Sequence, residues 1–387
     1  MKENKAALTR PKIPCATVIV LLIAALLFVL VRVLAAPPKA EDRPQSGDYA
    51  EYENGVVTQV LSDSSEYDDV SEGPRGEQLL LVEVKTGQYA GKTLQVHNYV
   101  NPLFGGQLKT GDGATLIIST YQSGEVTATV YEYNRALPVL IVIALFLLVT
   151  VLVGGKTGAK SLVGLLFTVL CVFALLFPAL MKGAPTLLST FLLCVYVAAV
   201  SFVILGGVEK KTLCAFAGTA AGMALALLFA LAAQKLLRIN GLRSADVEPL
   251  VQLRQTGTPI GLKGLLAAGV ILSALGAVMD VAMSLSSAMS EIRAADPTMD
   301  RKTLFRSGMN VGHDMVGTMT NTLILAFLGS GLVLILYLYS LGLSRHMLMS
   351  SAYLSWELVG GISSSIGVIL SVPITAAICA SVYGKNT

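Results

Sequence analysis

Residues 262–292 read LKGLLAAGVILSALGAVMDVAMSLSSAMSEI, an apolar run that carries Asp280 in its middle and Glu291 at its end. About 20 apolar residues cross the roughly 30 Å of bilayer hydrocarbon, so by length this run is a transmembrane helix. An ionisable group inside such a run is costly and marks a functional site by default. Asp280, Ser284, Ser287 and Glu291 stand at i, i+4, i+7 and i+11, which sets all four on one helical face. The segment is therefore a membrane helix with a polar stripe leading from mid-membrane to one mouth.

The next apolar segment repeats the pattern. Asn310, Asp314, Thr318 and Asn321 stand at i, i+4, i+8 and i+11, with His313 beside them. The simplest arrangement pairs the two stripes across a hairpin through residues 292–308, their charges met by each other, by water or by a bound ion. Asp280 and Asp314 are then candidates for cation binding or proton coupling, and Asn310, Thr318 and Asn321 for neutral oxygen ligands. A plainer account has Asp314 capping the start of its helix and His313 in the headgroup region. In the last apolar segment Glu357, Gly360 and Ser364 share a face near the outer end, and Pro373 could free backbone carbonyls to line a cavity.

Working outward, the whole chain is 54% hydrophobic and 14% charged, against about 25% charged in a soluble domain. Its mean hydropathy is +0.68. Apolar segments recur at about 13–36, 138–154, 159–181, 186–207, 212–236, 262–288, 311–340 and 353–382, which predicts an all-α polytopic protein of about eight spans. Lys2, Lys5, Arg10 and Lys12 precede the first span, which puts the N-terminus in the cytoplasm. Val33-Leu34-Ala35 loosely resembles a cleavage site, but the run before it exceeds the usual 7–15 residues of a signal core, favouring a retained anchor of residues 1–36. Both termini, and the basic cluster Arg293, Arg301, Lys302 and Arg306, then lie inside, with residues 37–137 outside. Lys235, Arg238, Arg243 and Arg254 run against this balance, in an outer loop whose apolar spacing fits a segment lying along the membrane surface.

Residues 48–135 have another character, with 15 Asp and Glu against 7 Lys and Arg over residues 37–135. Strand-like runs at 55–60, 78–84, 93–96, 114–119 and 126–131 alternate with Gly-rich turns. They predict a small extracytoplasmic β-barrel, possibly OB-like in plan, inserted before a seven-helix membrane domain of residues 138–382. The acidic cluster Asp63, Glu66, Asp68, Asp69 and Glu72 reads as a solvated loop without EF-hand spacing. All five cysteines fall in or beside apolar segments without C-x-x-C spacing, so they read as buried hydrophobes. Gly154-Gly-Lys-Thr-Gly158 lacks the phosphate-loop spacing, nothing indicates a cofactor, and the basic loops reflect topology rather than nucleic-acid binding. Glycines at 154–158, 206–207, 218 with 222, and 329 with 331 read as helix-packing positions.

Gly276-Ala-Val-Met-Asp-Val-Ala-Met-Ser-Leu-Ser-Ser-Ala-Met-Ser-Glu-Ile292 and Ser307-Gly-Met-Asn-Val-Gly-His-Asp-Met-Val-Gly-Thr-Met-Thr-Asn-Thr-Leu-Ile-Leu-Ala-Phe327 resemble the YibE/F-like family of bacterial multi-pass membrane proteins. The likeness is read from about residue 50 to 382, and it implies a bacterial plasma-membrane location without implying a biochemical role. Three classes of function follow from the residues. The first is a transporter or channel for an ion or small solute, using Asp280, Ser284, Ser287, Glu291, Asn310, His313, Asp314, Thr318, Asn321 and Glu357 as its pathway. The second is a non-catalytic scaffold or sensor whose outer β-domain binds an envelope ligand or partner. The third, an intramembrane enzyme with Asp280, His313, Asp314 and Glu357 around a metal, is disfavoured by their different depths. Beyond the lipid bilayer, the transported species and the oligomeric state stay open.

Overall fold

Gln78-Leu-Leu-Leu-Val-Glu-Val84 buries every second side chain, as a strand with one face on a core must. The computed structural model describes residues 49–103, 105–121, 125–239, 248–255, 257, 259–262, 264–342 and 344–384. The expected anchor at 13–36 lies outside the described residues. Two compact units part between Val153 and Gly154.

In the first unit, strands β1 (Tyr49–Asp63), β2 (Glu66–Asp68), β3 (Gly73–Val84), β4 (Thr93–Val100), β5 (Gly113–Thr120) and β6 (Val126–Tyr133) make one sheet. All five expected runs lie in β1, β3, β4, β5 and β6. These five close on themselves in the order β1-β3-β4-β6-β5, with β4 and β6 parallel through the pair His97 and Thr129 and every other pairing antiparallel. The result is a five-stranded barrel-like domain, with β2 as a short flap on β3. β1 serves both sides because its first half pairs with β5 and its second half with β3, changing partners at Gly55. A Cβ there would sit 2.5 Å from Val82 Cγ1, so the crossing requires glycine. Val57, Leu80, Val82, Val96, Leu116 and Ile118 fill the interior.

Two buried amides pin the loop after β4. Gln78 Oε1 accepts from Asn98 Nδ2 and from Leu108 N, both at 2.9 Å, and Gln78 Nε2 donates to Asp63 Oδ2 at 2.8 Å. The acidic cluster is accordingly a structured hairpin rather than a long loop. Asp63 accepts from Ser65 N, Asp68 from Ser71 Oγ and Val70 N, and Arg75 lies 4.0 Å from Asp68.

The helical residues open with α1 (Ala136–Cys171), continued by a π-helical turn at Val172–Leu176 and a last turn at Phe177–Met181. These 46 residues would rise ~69 Å if straight, about twice the hydrocarbon thickness. The run is broken at Gly155, whose φ of 54° and ψ of −136° suit only glycine. The expected spans 138–154 and 159–181 thus lie on either side of this break. No atom lies within 4 Å of where a Cβ would stand at Gly154 or Gly155, so these glycines make a kink rather than a packing site.

In the second unit, α2 (Thr186–Gly206), α3 (Lys210–Leu236), the short α4 (Glu248–Gln255), α5 (Leu265–Ala295), α6 (Arg301–Ser330), α7 (Leu332–Ser340), α8 (Arg345–Met349) and α9 (Ala352–Tyr383) follow. Among the described residues five helical runs are long and apolar enough to cross a membrane, and α6 with α7, bent by 58°, makes a sixth. The sequence pattern counts seven over the same residues, the difference being the joined run through α1. The bend falls at Ser330 and Gly331, so Gly329 and Gly331 serve a break rather than close packing. Gly218 and Gly222 do serve packing: Cβ atoms on them would stand 1.9 Å from Thr375 Oγ1 and 2.8 Å from Ser371 Cβ on α9. α5 therefore has α3 and α9 along its buried side, with Val278, Val281, Leu285 and Met289 in their shared core. α9 passes Pro373 as one helix.

Candidate functional site

The turn between α5 and α6 fixes the register of the two polar helices. Asp300 caps α6 by accepting from Lys302 N and Thr303 N, Asp296 accepts from Thr298 N at 2.9 Å, and Arg293 Nη1 donates to Met299 O at 2.7 Å. Hydrogen bonds from Thr298 and Thr303 hold the Asp296 and Asp300 carboxyls below the usual carboxylate range, so near neutrality both are charged, Asp296 fastening the turn and Asp300 capping α6.

Above this turn α5 exposes Asp280, Ser284 and Glu291 along one face, with Ser287 half-buried. Gly269 and Gly276 continue it with nothing within 4 Å. At its upper end Ser273 Oγ lies 3.2 Å from Ser364 Oγ of α9.

The sequence correctly places Asn310, His313, Asp314, Thr318 and Asn321 together on α6, and all five are exposed. They do not pair with the α5 stripe. Among the described residues no hydrogen bond or ion pair joins the two sets. The cause is the azimuth of α6, which turns its glycine side inward. A Cβ at Gly308 would meet Met289 Sδ at 2.6 Å, and one at Gly312 would meet Val372 Cγ1 at 2.3 Å. Thr318 Oγ1 spends its hydrogen on its own helix, 3.2 Å from Asp314 O and 3.1 Å from Met315 O. Periodicity reveals a stripe but not the neighbour it faces.

Glu357 is separate again. It is half-buried in a cavity of about 260 Å³ with Ile324, Phe327, Leu328, Ile335 and Leu354, where α6 bends into α7. A Cβ at Gly360, on the same helix, would stand 3.4 Å from the Phe327 ring. The ten candidate residues thus form two open stripes and one apolar pocket with a carboxylate. Among the described residues no group of three or more His, Cys, Asp or Glu is placed to hold a metal ion.

A layer of buried hydroxyls lies between α3 and α9. Thr219 on α3 and Ser363, Ser364, Ser371 and Thr375 on α9 are wholly buried, and the hydroxyls of Thr219, Ser363 and Thr375 have no hydrogen-bond partner. Ser286 joins them from α5, donating to Lys211 O at 2.6 Å and accepting from Cys379 at 3.5 Å. The signal was available in the spacing of 364, 371 and 375, opposite Gly218 and Gly222. The four described cysteines, Cys171, Cys194, Cys214 and Cys379, are free and buried.

A family model described as YibE/F-like protein matches residues 142–385, well over half of the chain. The chain belongs to the YibE/F-like family. The matched region contains every residue of both stripes and Glu357, while the β-domain precedes it, so the likeness read from about residue 50 is shown only from residue 142. No curated protein and no solved structure matches the chain. This YibE/F-like protein is a multi-pass α-helical membrane protein with an extracytoplasmic β-domain, and the lipid bilayer is its environment.

Proposed function

We propose that this YibE/F-like protein is a bacterial plasma-membrane transporter or channel for an ion or small solute, without a catalytic centre or cofactor. The observation that carries the reading is the α5 stripe: a carboxylate at mid-helix, Asp280, without a hydrogen-bond or ionic partner among the described residues, aligned with Ser284, Ser287 and Glu291 toward the turn. A mid-membrane carboxylate costs about 2.5–3.5 kcal/mol by insertion scales, so a sequence that keeps one uses it. The bend between α6 and α7 beside Glu357 supplies the broken helix that gated pathways require.

The topology belongs to the same proposal. With the N-terminus cytoplasmic and residues 37–137 outside, the segments 138–154 and 159–181 each cross the bilayer. Only then do Arg293, Arg301, Lys302 and Arg306 stay inside while the β-domain is outside and both termini are cytoplasmic. The non-helical backbone of Gly155 and the excess length of the run support this.

The test is charge movement and tracer flux in proteoliposomes across Na⁺, K⁺, H⁺ and divalent cations. Wild type should conduct or exchange at least one of them, and Asp280→Asn should lose at least about tenfold of that flux at equal incorporation, as expected when a pathway charge is removed. Wild-type flux no greater than that of empty liposomes would sink the reading. A second reading, a scaffold or sensor, draws on the barrel surface. Tyr52, Tyr99 and Tyr131 are each more than half exposed, with Tyr52 and Tyr131 edge to face at 5.3 Å and His97 stacked on Tyr99 at 6.4 Å. Such a ridge of rings suits an envelope ligand, and Asp280→Asn would then alter assembly rather than flux.

A further inference from the structure

We propose that the cavity where α6 bends into α7 binds a lipophilic organic cation, its charge met by Glu357 and its apolar body by Phe327 and the aliphatic side chains around it. As a substrate class this rests on the transport reading, while as a binding site it stands without it.

Among the described residues that line the cavity, Glu357 is the one polar side chain, and it has no hydrogen-bond or ion-pair partner among them or elsewhere in the described chain. Its stem is held at the bend, since a Cβ at Gly331 would stand 4.0 Å from Glu357 Cγ. Arg345 and His346 on α8, the basic residues nearest to it in sequence, line no part of the cavity. Asp314, the next acid back along α6, stands ~15 Å before Ile324 along the helix and belongs to the other site. A carboxylate in an apolar wall is costly until a cation covers it.

The lining selects the kind of cation. An inorganic ion gives up its water only to several oxygens, whereas this wall offers those of one carboxylate. Phe327 O, at the bend, already accepts from Gly331 N at 3.1 Å and from Ser330 Oγ at 2.9 Å. Phe327 itself suits an organic ammonium group, because an aromatic face attracts a quaternary cation. Its ring is seated on Gly360 and Gly361, where Cβ atoms would stand 3.4 Å and 3.3 Å from it. Ile324, Leu328, Leu358 and Ile362 line the cavity and are also exposed on membrane helices, so the mouth opens toward lipid. A ligand arriving from lipid must itself be lipophilic. Glu357 stands ~7.5 Å from the start of α9, a depth that suits a cation with its body in hydrocarbon and its charge toward the headgroups. The volume of about 260 Å³ lies just under the about 300–1,000 Å³ of ordinary ligand pockets, which favours a compact cation with one ring and short alkyl arms.

The test is equilibrium binding of radiolabelled benzyltrimethylammonium to the purified full chain in neutral detergent, with neopentylbenzene, the same shape with carbon in place of nitrogen, as competitor. Wild type should bind the cation saturably. Glu357→Gln, at matched melting temperature, should bind it at least about tenfold more weakly, as when a charge in an apolar site loses its counter-charge. Glu357→Asp should retain more of the affinity than Glu357→Gln does, Phe327→Leu should lose it severalfold, and Glu209→Gln, on the exposed start of α3, should bind like wild type. Three results would overturn the proposal. They are no saturable binding by wild type, equal binding by wild type and Glu357→Gln, and competition by neopentylbenzene as strong as by unlabelled cation, which is the outcome for a groove that takes lipid acyl chains. Saturable binding without uptake of the label into proteoliposomes would keep the site and sink its role in transport, whereas flux of inorganic cations without this binding would keep the transport reading and sink the site.

Discussion

Asp63 shows how one carboxylate can organise a small barrel. It ends β1, accepts from Ser65 and receives Gln78, whose other contacts pin Asn98 and Leu108 inside. The hydrogen bonds from Ser65, then the one from Gln78, hold its carboxyl below the ordinary value of 3.8. A depressed carboxylate stabilises the fold above its unfolded value and loses that contribution as pH falls through its folded one. Wild-type barrel stability, followed by tyrosine near-ultraviolet circular dichroism during urea unfolding, should therefore decline from about pH 5 to about pH 3. Asp63→Asn should be less stable at pH 7 and show a flatter decline. Equal slopes would mean that other carboxylates carry the acid sensitivity. At Asp280 the sequence was sufficient to find the residue, because a lone carboxylate in an apolar run is conspicuous in one dimension. The buried hydroxyls Thr219, Ser363 and Thr375 were not, since serine and threonine are common in membrane helices and only packing distinguishes a buried one.

The contact between α3 and α9 is built from absent side chains. Gly218 faces Thr375, Gly222 faces Ser371, and Gly367 lies where a Cβ would meet Ala226 Cβ at 2.8 Å. Gly218→Ala would drive a methyl group to 1.9 Å from Thr375 Oγ1 and 3.0 Å from its Cβ. Overpacking of this kind should cost about 1–3 kcal/mol, read as a lower melting temperature of the purified protein. Thr375→Ala should recover part of the loss and cost little alone, because the threonine hydroxyl it removes has no hydrogen-bond partner. An unaltered melting temperature in Gly218→Ala would show that the helices are farther apart. The same glycine signal had three outcomes in this chain: packing at 218 and 222, a kink at 155 and a break at 331. Spacing alone does not separate them, since each depends on whether a neighbour stands opposite.

At the scale of the molecule there are two compact units, one with a core of β-strands and one with its cores among helices, parted at Val153 and Gly154. The barrel owes its stability to water-driven burial, which urea weakens, whereas helices in a membrane environment keep their backbone bonds with no water to compete. Trp356, the one tryptophan, lies on α9. In detergent, urea should thus abolish the tyrosine signal of the barrel before the Trp356 emission changes. Coincident transitions would indicate that the cores unfold as one.

The sequence by itself determined the membrane class, the position and strand content of the β-domain, the resemblance to the YibE/F-like family and the two polar stripes. Each is a one-dimensional signal of length, period or residue type. Tertiary structure decided the closure of the barrel through the parallel pair of β4 and β6, the break at Gly155 within α1, the bend after α6 and the hydroxyl layer. It also decided that the stripes of α5 and α6 point away from each other. A helix repeats every 3.6 residues whatever surrounds it, so its sequence names the residues that share a face, and only the packing of Gly308 and Gly312 fixes where that face looks.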